Sequence, residues 1–169
     1  YTRRGVERII RSAFEFAQRD GRKSVCMTDK ANAMRQGHEL WQRTFREVAS
    51  EYPKIESFHL YVDVAAMELV RCPERFDVIV TENLFGDILS DLGASLQGGL
   101  GTAASGNIHP GRCSLFEPVH GSAPDLVGTG RANPMAAIMS GAILLDHLGM
   151  SGAARTVEQA VIDQLASGE

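Results

Sequence analysis

The amino-acid sequence predicts a layered α/β fold, and three observations carry that prediction. Amphipathic stretches alternate with short β-branched runs in the order helix, strand, helix, strand, helix, strand, helix over the first half of the chain. Each apolar run is followed by charged residues, namely Lys30, Asp63, and then Asp87 with Asp91. Open α/β sheets place ligands outside the carboxyl ends of their strands, so these are the positions to watch. Finally, 169 residues with 44% apolar and 22% charged side chains suffice for a globular protein with a real core.

Taken in order, Val6, Ile9, Ile10, Ala13, Phe14 and Ala17 recur at helical spacing, with Arg3, Arg4, Glu7, Arg8, Arg11 and Glu15 mostly opposite. Asp20-Gly21 ends this helix. Residues 24–28 form a short apolar run that fits a buried strand and delivers Asp29-Lys30-Ala31-Asn32 at its end. A second helix is predicted over residues 38–52, stopped by Pro53. Residues 58–62 read as a strand ending in Asp63, residues 65–70 as a brief helix broken by Cys72-Pro73, and residues 78–81 as a third strand. The helix that follows carries Ile88, Leu89 and Leu92 on its predicted inner side.

From Gln97 the character changes. Residues 98–106 are small and glycine-rich, and Gly99-x-Gly101-x-x-Ala104 formally matches a dinucleotide fingerprint. That fingerprint needs a strand before it and a helix opening from it; here a helix precedes and a turn follows, so a flexible connection between two lobes is the expectation. The predicted division is a central α/β lobe over 1–97 and a second lobe over 98–169. A short run at 113–116, a polar loop at 117–133, a helix from Pro134 to about residue 148 and a last helix over about 153–165 complete the chain. His147 and Gly149 stand where a helix C-terminus favours a cation and a left-handed residue.

A net charge of −4 with scattered cations argues against a nucleic-acid partner. Cys26, Cys72 and Cys113 are odd in number and far apart, which points to reduced, buried thiols rather than disulfides or zinc ligands. The longest apolar stretch, residues 136–145, is too short to span a bilayer, and no signal peptide opens the chain. No membrane role and a cytoplasmic or organelle-matrix location, cytoplasmic first, are the expectations. The chain opens on Tyr1 with a helical pattern running by Val6, as if cut from something larger.

The segment Asn83-Leu84-Phe85-Gly86-Asp87-Ile88-Leu89-Ser90-Asp91-Leu92 is the one around which the rest is organised. Asp87 and Asp91 lie four apart, on one face of a helix. Like charges at that spacing cost roughly 0.2–0.5 kcal/mol unless a cation sits between them, and two carboxylates so placed can ligate a hard divalent ion. The alternative is that two solvated acids near a helix start simply favour its dipole.

Together with Glu117-Pro118-Val119-His120-Gly121-Ser122-Ala123-Pro124-Asp125, this segment resembles the isocitrate/isopropylmalate dehydrogenase family of metal-dependent β-decarboxylating dehydrogenases. The resemblance runs from Tyr1 to about Gly149. It implies an isopropylmalate dehydrogenase-like layered α/β fold, incomplete here because an N-terminal portion and the extreme C-terminus are lacking. It also implies NAD-dependent oxidative decarboxylation of a malate-like 2-hydroxy acid, with Mg²⁺ or Mn²⁺, and inactivity of the chain alone. Tyr1-Thr2-Arg3-Arg4-Gly5 leans toward the tartrate/D-malate branch and Asp29-Lys30-Ala31-Asn32 toward the isopropylmalate and isocitrate branches.

Residue by residue, the resemblance makes Lys30 the base that works with Asp63 on the substrate hydroxyl, and Tyr1 the donor of a proton to the enol. Asp63, Asp87 and Asp91 become the metal ligands. The cofactor would meet Asn32 on its nicotinamide side and Glu117, His120, Gly121, Ser122, Ala123, Asp125, Leu126 and Asn133 on its adenosine side. In the family the residues matching Lys30 and Asp63 reach into the partner subunit's site, so a homodimer is implied. Leu126, Glu82 and Arg131 depart from the usual pattern. A lone lysine is ordinarily a solvated surface charge and a lone loop histidine a turn residue. A non-catalytic regulatory subunit and a stand-alone cofactor-binding module are the rival readings; retention of Tyr1, Lys30, Asp63, Asp87 and Asp91 together favours the enzyme.

Overall fold

The computed structural model describes residues 1–168, so the last position of the lobe expected over 98–169 lies outside the described residues. The chain forms two compact units, Tyr1–Gly93 and the remainder from Ala94, with the division falling inside a helix.

In the first unit, α1 (Arg3–Arg19) starts at Thr2, whose hydroxyl accepts the Gly5 N–H at 3.2 Å. Val6, Ile10, Phe14 and Ala17 form its buried stripe. The strands β1 (Ser24–Asp29), β2 (Glu56–Tyr61) and β3 (Val78–Val80) make a parallel sheet in the order β2-β1-β3. The middle strand β1 is buried along its whole length, as a parallel strand covered on both faces should be. Val25 and Met27 on one face of β1 pack with Val80 and with Phe14 of α1 and Trp41, Phe45 and Val48 of α2 (Arg35–Ala49). Full burial of each large side chain in this cluster contributes about 1.5–3 kcal/mol. Asp77 ties the entry of β1 by accepting from Lys23 N–H (2.9 Å) and Ser24 N–H (3.1 Å). Those amide bonds hold its carboxyl below the usual range.

Several boundaries differ from those predicted. The helix α2 begins three residues earlier than expected because Lys30 C=O accepts from both Ala33 and Met34 N–H, turning the chain straight into it. It also ends at Ala49, before Pro53 can act, with the Ser50 N–H bonding back to Arg46 C=O. The helix α3 (Val62–Arg71) absorbs Val62 and Asp63, so Asp63 lies in a helical first turn rather than at a strand tip, where the helix dipole favours its charge. On α4 (Asn83–Leu96), Leu89 is buried but Ile88 is 55% exposed, against the expectation that both face inward.

In the second unit, part of the segment expected to be a flexible connection takes regular secondary structure. A 3₁₀ turn at Leu100–Thr102 leads into β4 (Ala104–Asn107), which pairs antiparallel with β5 (Leu115–Pro118). Small residues here serve close packing: a Cβ on Gly106 would stand 3.0 Å from the Phe116 ring. The helices α5 (Met135–His147) and α6 (Ser151–Ser167) pack against each other, α5 also covering the hairpin. Gly149 is left-handed at φ +79°, as the sequence predicted. All three cysteines are free, but only Cys26 is buried, its thiol pushed up to about 12 by that burial; Cys72 is half-buried and Cys113 exposed. No helix among the described residues is long and apolar enough to cross a membrane.

Candidate active site

The exit of β1 is fixed by buried side chains. Asp29 is 1% exposed and accepts the Ala31 N–H at 2.9 Å, with His59 Nε2 at 3.1 Å. Burial disfavours its charge, but hydrogen bonds from His59, the Ala31 amide and Gln42 outweigh that and hold its carboxyl below the usual range. The next amide, Lys30 N–H, donates to Nδ1 of fully buried His38 at 2.7 Å. Lys30 Nζ then lies 2.5 Å from Asp63 Oδ1. The Lys30 ammonium holds the Asp63 carboxyl below the usual range, joined by amide hydrogen bonds at the start of α3. The two residues predicted to act on the substrate hydroxyl are thus a pair. Asn32 sits exposed in the turn that follows.

Tyr1 is 61% exposed, yet its ring is seated edge-on to His38 (5.8 Å between centroids) and Trp41 (6.2 Å). Gly37 makes room for it: a Cβ there would meet the ring at 2.8 Å. Partial burial and then the nearby Glu82 carboxylate raise the Tyr1 phenol above its ordinary range. Glu82, a departure from the family pattern, has a clear local role. Its carboxylate caps α4 by accepting the Leu84 and Phe85 N–H groups at 3.1 and 3.0 Å.

Asp87 and Asp91 are both exposed on α4, and Asn83 Nδ2 donates to Asp87 Oδ2 at 3.2 Å. Among the described residues no three or more His, Cys, Asp or Glu side chains gather as a metal cluster. Asp63 is paired with Lys30, and the three carboxylates predicted as metal ligands are not gathered in one place among the described residues.

The predicted adenosine-side residues belong to the second unit. His120, Gly121, Ser122, Ala123, Leu126 and Asn133 line one cavity of about 520 Å³, and Arg131 joins them. Asp125 lies on the adjoining 3₁₀ turn Pro124–Leu126, and Glu117 on β5; neither lines the cavity. The loop is held by short-range bonds: His120 Nδ1 is 2.9 Å from Gly121 O, and Asn133 Oδ1 accepts the Met135 N–H at 2.9 Å. Ala123 adopts a left-handed φ of +44°, the one non-glycine residue to do so among those described.

A family model described as isocitrate/isopropylmalate dehydrogenase matches residues 1–169. The chain belongs to this family. It is 52% identical over 168 residues to the 3-isopropylmalate dehydrogenase of Clavibacter sepedonicus, covering 98% of this chain and 47% of the relative. It is 51% identical to the enzyme of the same name from Thermobifida fusca (strain YX), covering 97% and 47%. Among solved structures it matches the crystal structure of isocitrate dehydrogenase from Methylococcus capsulatus at a TM-score of 0.91 and 53% identity, covering 95% of this chain and 47% of that one. The chain therefore spans about half the length of the curated relatives it matches, and carries part of the isocitrate/isopropylmalate dehydrogenase α/β fold. Relatives named for two different substrates stand at nearly equal identity, so identity does not choose between them.

Within this family member, the sequence pointed to Lys30 and Asp63 but not to what holds them. His38 looked like an ordinary residue of an amphipathic helix, and no sequence signal distinguishes a histidine that accepts a backbone hydrogen bond. Asp29 could be suspected only from its place beside Lys30.

Proposed function

We propose that the complete protein carries out NAD-dependent, divalent-metal-dependent oxidative decarboxylation of a malate-like 2-hydroxy acid, of the isopropylmalate, isocitrate or tartrate/D-malate type. The observation that carries this reading is the 2.5 Å Lys30–Asp63 pair, anchored at the exit of a fully buried central strand. Pairing with Asp63 favours the ammonium form of Lys30, so the neutral amine that takes the proton of the substrate hydroxyl would need the opposing field of a bound divalent cation, and Asp63 then balances the ammonium that forms. Tyr1, its phenol raised by partial burial and by Glu82, stays protonated at neutral pH and serves as the donor that protonates the enol left when carbon dioxide departs.

Exposed, oxygen-only donors four residues apart on α4 suit a hard ion such as Mg²⁺ or Mn²⁺, so Asp87 and Asp91 would hold it, with Asp63 joining from a partner subunit of a homodimer. When bound, such an ion supplies Lewis acidity at the substrate's hydroxyl and carboxylate oxygens. NAD, the hydride acceptor, would place its adenosine in the cavity around His120 and Asn133, with Asp125 at the ribose.

The test is NADH formation by the complete protein from isopropylmalate, isocitrate, D-malate and tartrate, with and without a chelator. Turnover should vanish on chelation and return with Mn²⁺ or Mg²⁺. Asp87→Asn and Asp91→Asn should raise the metal concentration needed by more than the roughly 10–100-fold that losing an outer-shell partner costs. Metal-independent turnover, or none with any of the four acids, would refute the reading.

A further inference from the structure

Resting on the roles proposed for Lys30 and Tyr1, we infer that His38 is a positioning residue that seats both proton-transfer groups, and that Gly37 reserves the space for Tyr1. His38 is wholly buried, and its Nδ1 accepts the Lys30 N–H at 2.7 Å. That bond requires a ring nitrogen without a proton at Nδ1, so a neutral imidazole carries its proton on Nε2. The Nε2 atom is buried and has no hydrogen-bond partner among the described residues. The His38 ring lies beside two aromatic rings: Tyr1 at 5.8 Å and Phe85 at 5.6 Å between centroids, both edge-on.

An orphaned ring N–H is a standing cost that a leucine of similar bulk would avoid. What the imidazole alone adds is an acceptor for the Lys30 amide together with a flat wall for the Tyr1 ring. Asp29 grips the neighbouring Ala31 amide from its own strand, so the peptide carrying Lys30 is clamped from two sides. Gly37 separates the two tasks, because a Cβ there meets Tyr1 at 2.8 Å and touches nothing of Lys30.

The experiment compares His38→Leu, His38→Asn and Gly37→Ala in the complete protein. Hydrogen exchange over the segment from Thr28 to Ala33, and kcat and KM for the hydroxy acid, are measured for each. Leucine removes the acceptor; asparagine keeps one at the δ position. His38→Leu should speed exchange across the segment and lower kcat about 10–100-fold with KM nearly unchanged, the scale of a misplacement near 1 Å. His38→Asn should restore slow exchange and most of kcat. Gly37→Ala should lower kcat while leaving exchange as in the wild type.

Equal loss of kcat in the asparagine and leucine variants, or unchanged exchange in leucine, would overturn the inference. Should the leucine variant not fold, nitrogen NMR of the wild-type histidines decides: an unprotonated Nδ1 and protonated Nε2 on His38 support it, and a protonated Nδ1 overturns it. The exchange and NMR readouts do not depend on turnover. If Lys30→Met kept full activity while these readouts behaved as expected, the proposed role of Lys30 would fail and the seat would stand.

Discussion

The two units hold their candidate site residues in opposite ways. In the first, Lys30 is gripped through groups distant in sequence: His38 eight residues away, Asp63 thirty-three away, and Asp29 locked by His59 from the adjacent strand. In the second, His120, Thr129 and Asn133 bond to backbone groups one to three residues away, in a loop where most residues are exposed. Long-range clamps built on a sheet fix a reacting atom, which proton transfer demands; short-range loop bonds leave a surface able to adjust around a large ligand. Chemistry should therefore fail abruptly on change in the first unit and binding should change gradually in the second. The largest effect expected is Lys30→Met in the complete protein, a loss of about 10²–10⁴ in kcat with metal binding spared. Stopped-flow turnover at saturating Mn²⁺ beside a metal titration checks this, and near-normal turnover would remove Lys30 from the mechanism.

The matching test of the second unit is cofactor choice. A carboxylate near the adenosine ribose suits the hydroxyls of NAD and repels the 2′-phosphate of NADP, by roughly 4 kcal/mol for unit charges about 4 Å apart at an effective dielectric near 20. Here Asp125 sits on the turn beside the cavity while Arg131 lines it, so on the proposed reading Arg131 would offset part of that repulsion. A preference for NAD of about 10–100-fold is expected, each tenfold being about 1.4 kcal/mol. Comparing kcat/KM for both cofactors in wild type and Asp125→Lys measures it. Equal efficiency in the wild type, or no gain in NADP use on charge reversal, would place Asp125 away from the ribose.

What could be read in advance follows the same division. Alternation of amphipathic helices with buried runs made the first unit legible, because Val6, Ile10, Phe14 and Ala17 are periodic and Val25, Cys26 and Met27 of β1 form an apolar run. The hairpin of β4 and β5 was not legible. Ala104-Ser105-Gly106-Asn107 has little strand propensity and forms a strand because Gly106 admits the Phe116 ring. Ile88 misled for a related reason: helical spacing names a face, and Leu89 rather than Ile88 is the one buried. Lys30, Asp63, Asp87 and Asp91 stood out by their places after apolar runs, and the Asp87–Asp91 spacing suggested an ion; the other roles came from motif resemblance. His38 carries no motif and was invisible until its Nδ1 was seen against the Lys30 amide.

The smallest effect expected separates the two parts of the Lys30 clamp. Asp29→Asn keeps an oxygen acceptor for the Ala31 N–H and removes only the charge facing His59, so it should destabilise the complete protein by about 1 kcal/mol at neutral pH, within the range for one hydrogen bond. The sign of the pH dependence follows from the direction of the shift. The Asp29 carboxyl is held below its ordinary value of 3.8, so its contribution is fully present above that value and is lost as pH falls through the lower folded value. Asp63 and Asp77 are lowered too, but they are common to both proteins and cancel in the difference. Urea unfolding of wild type and Asp29→Asn at pH 5 and in steps below about 4 should therefore show a gap that closes as the Asp29 carboxyl is protonated. A gap that persists unchanged into strong acid would mean that Asp29 acts in the clamp through its shape and not through its charge.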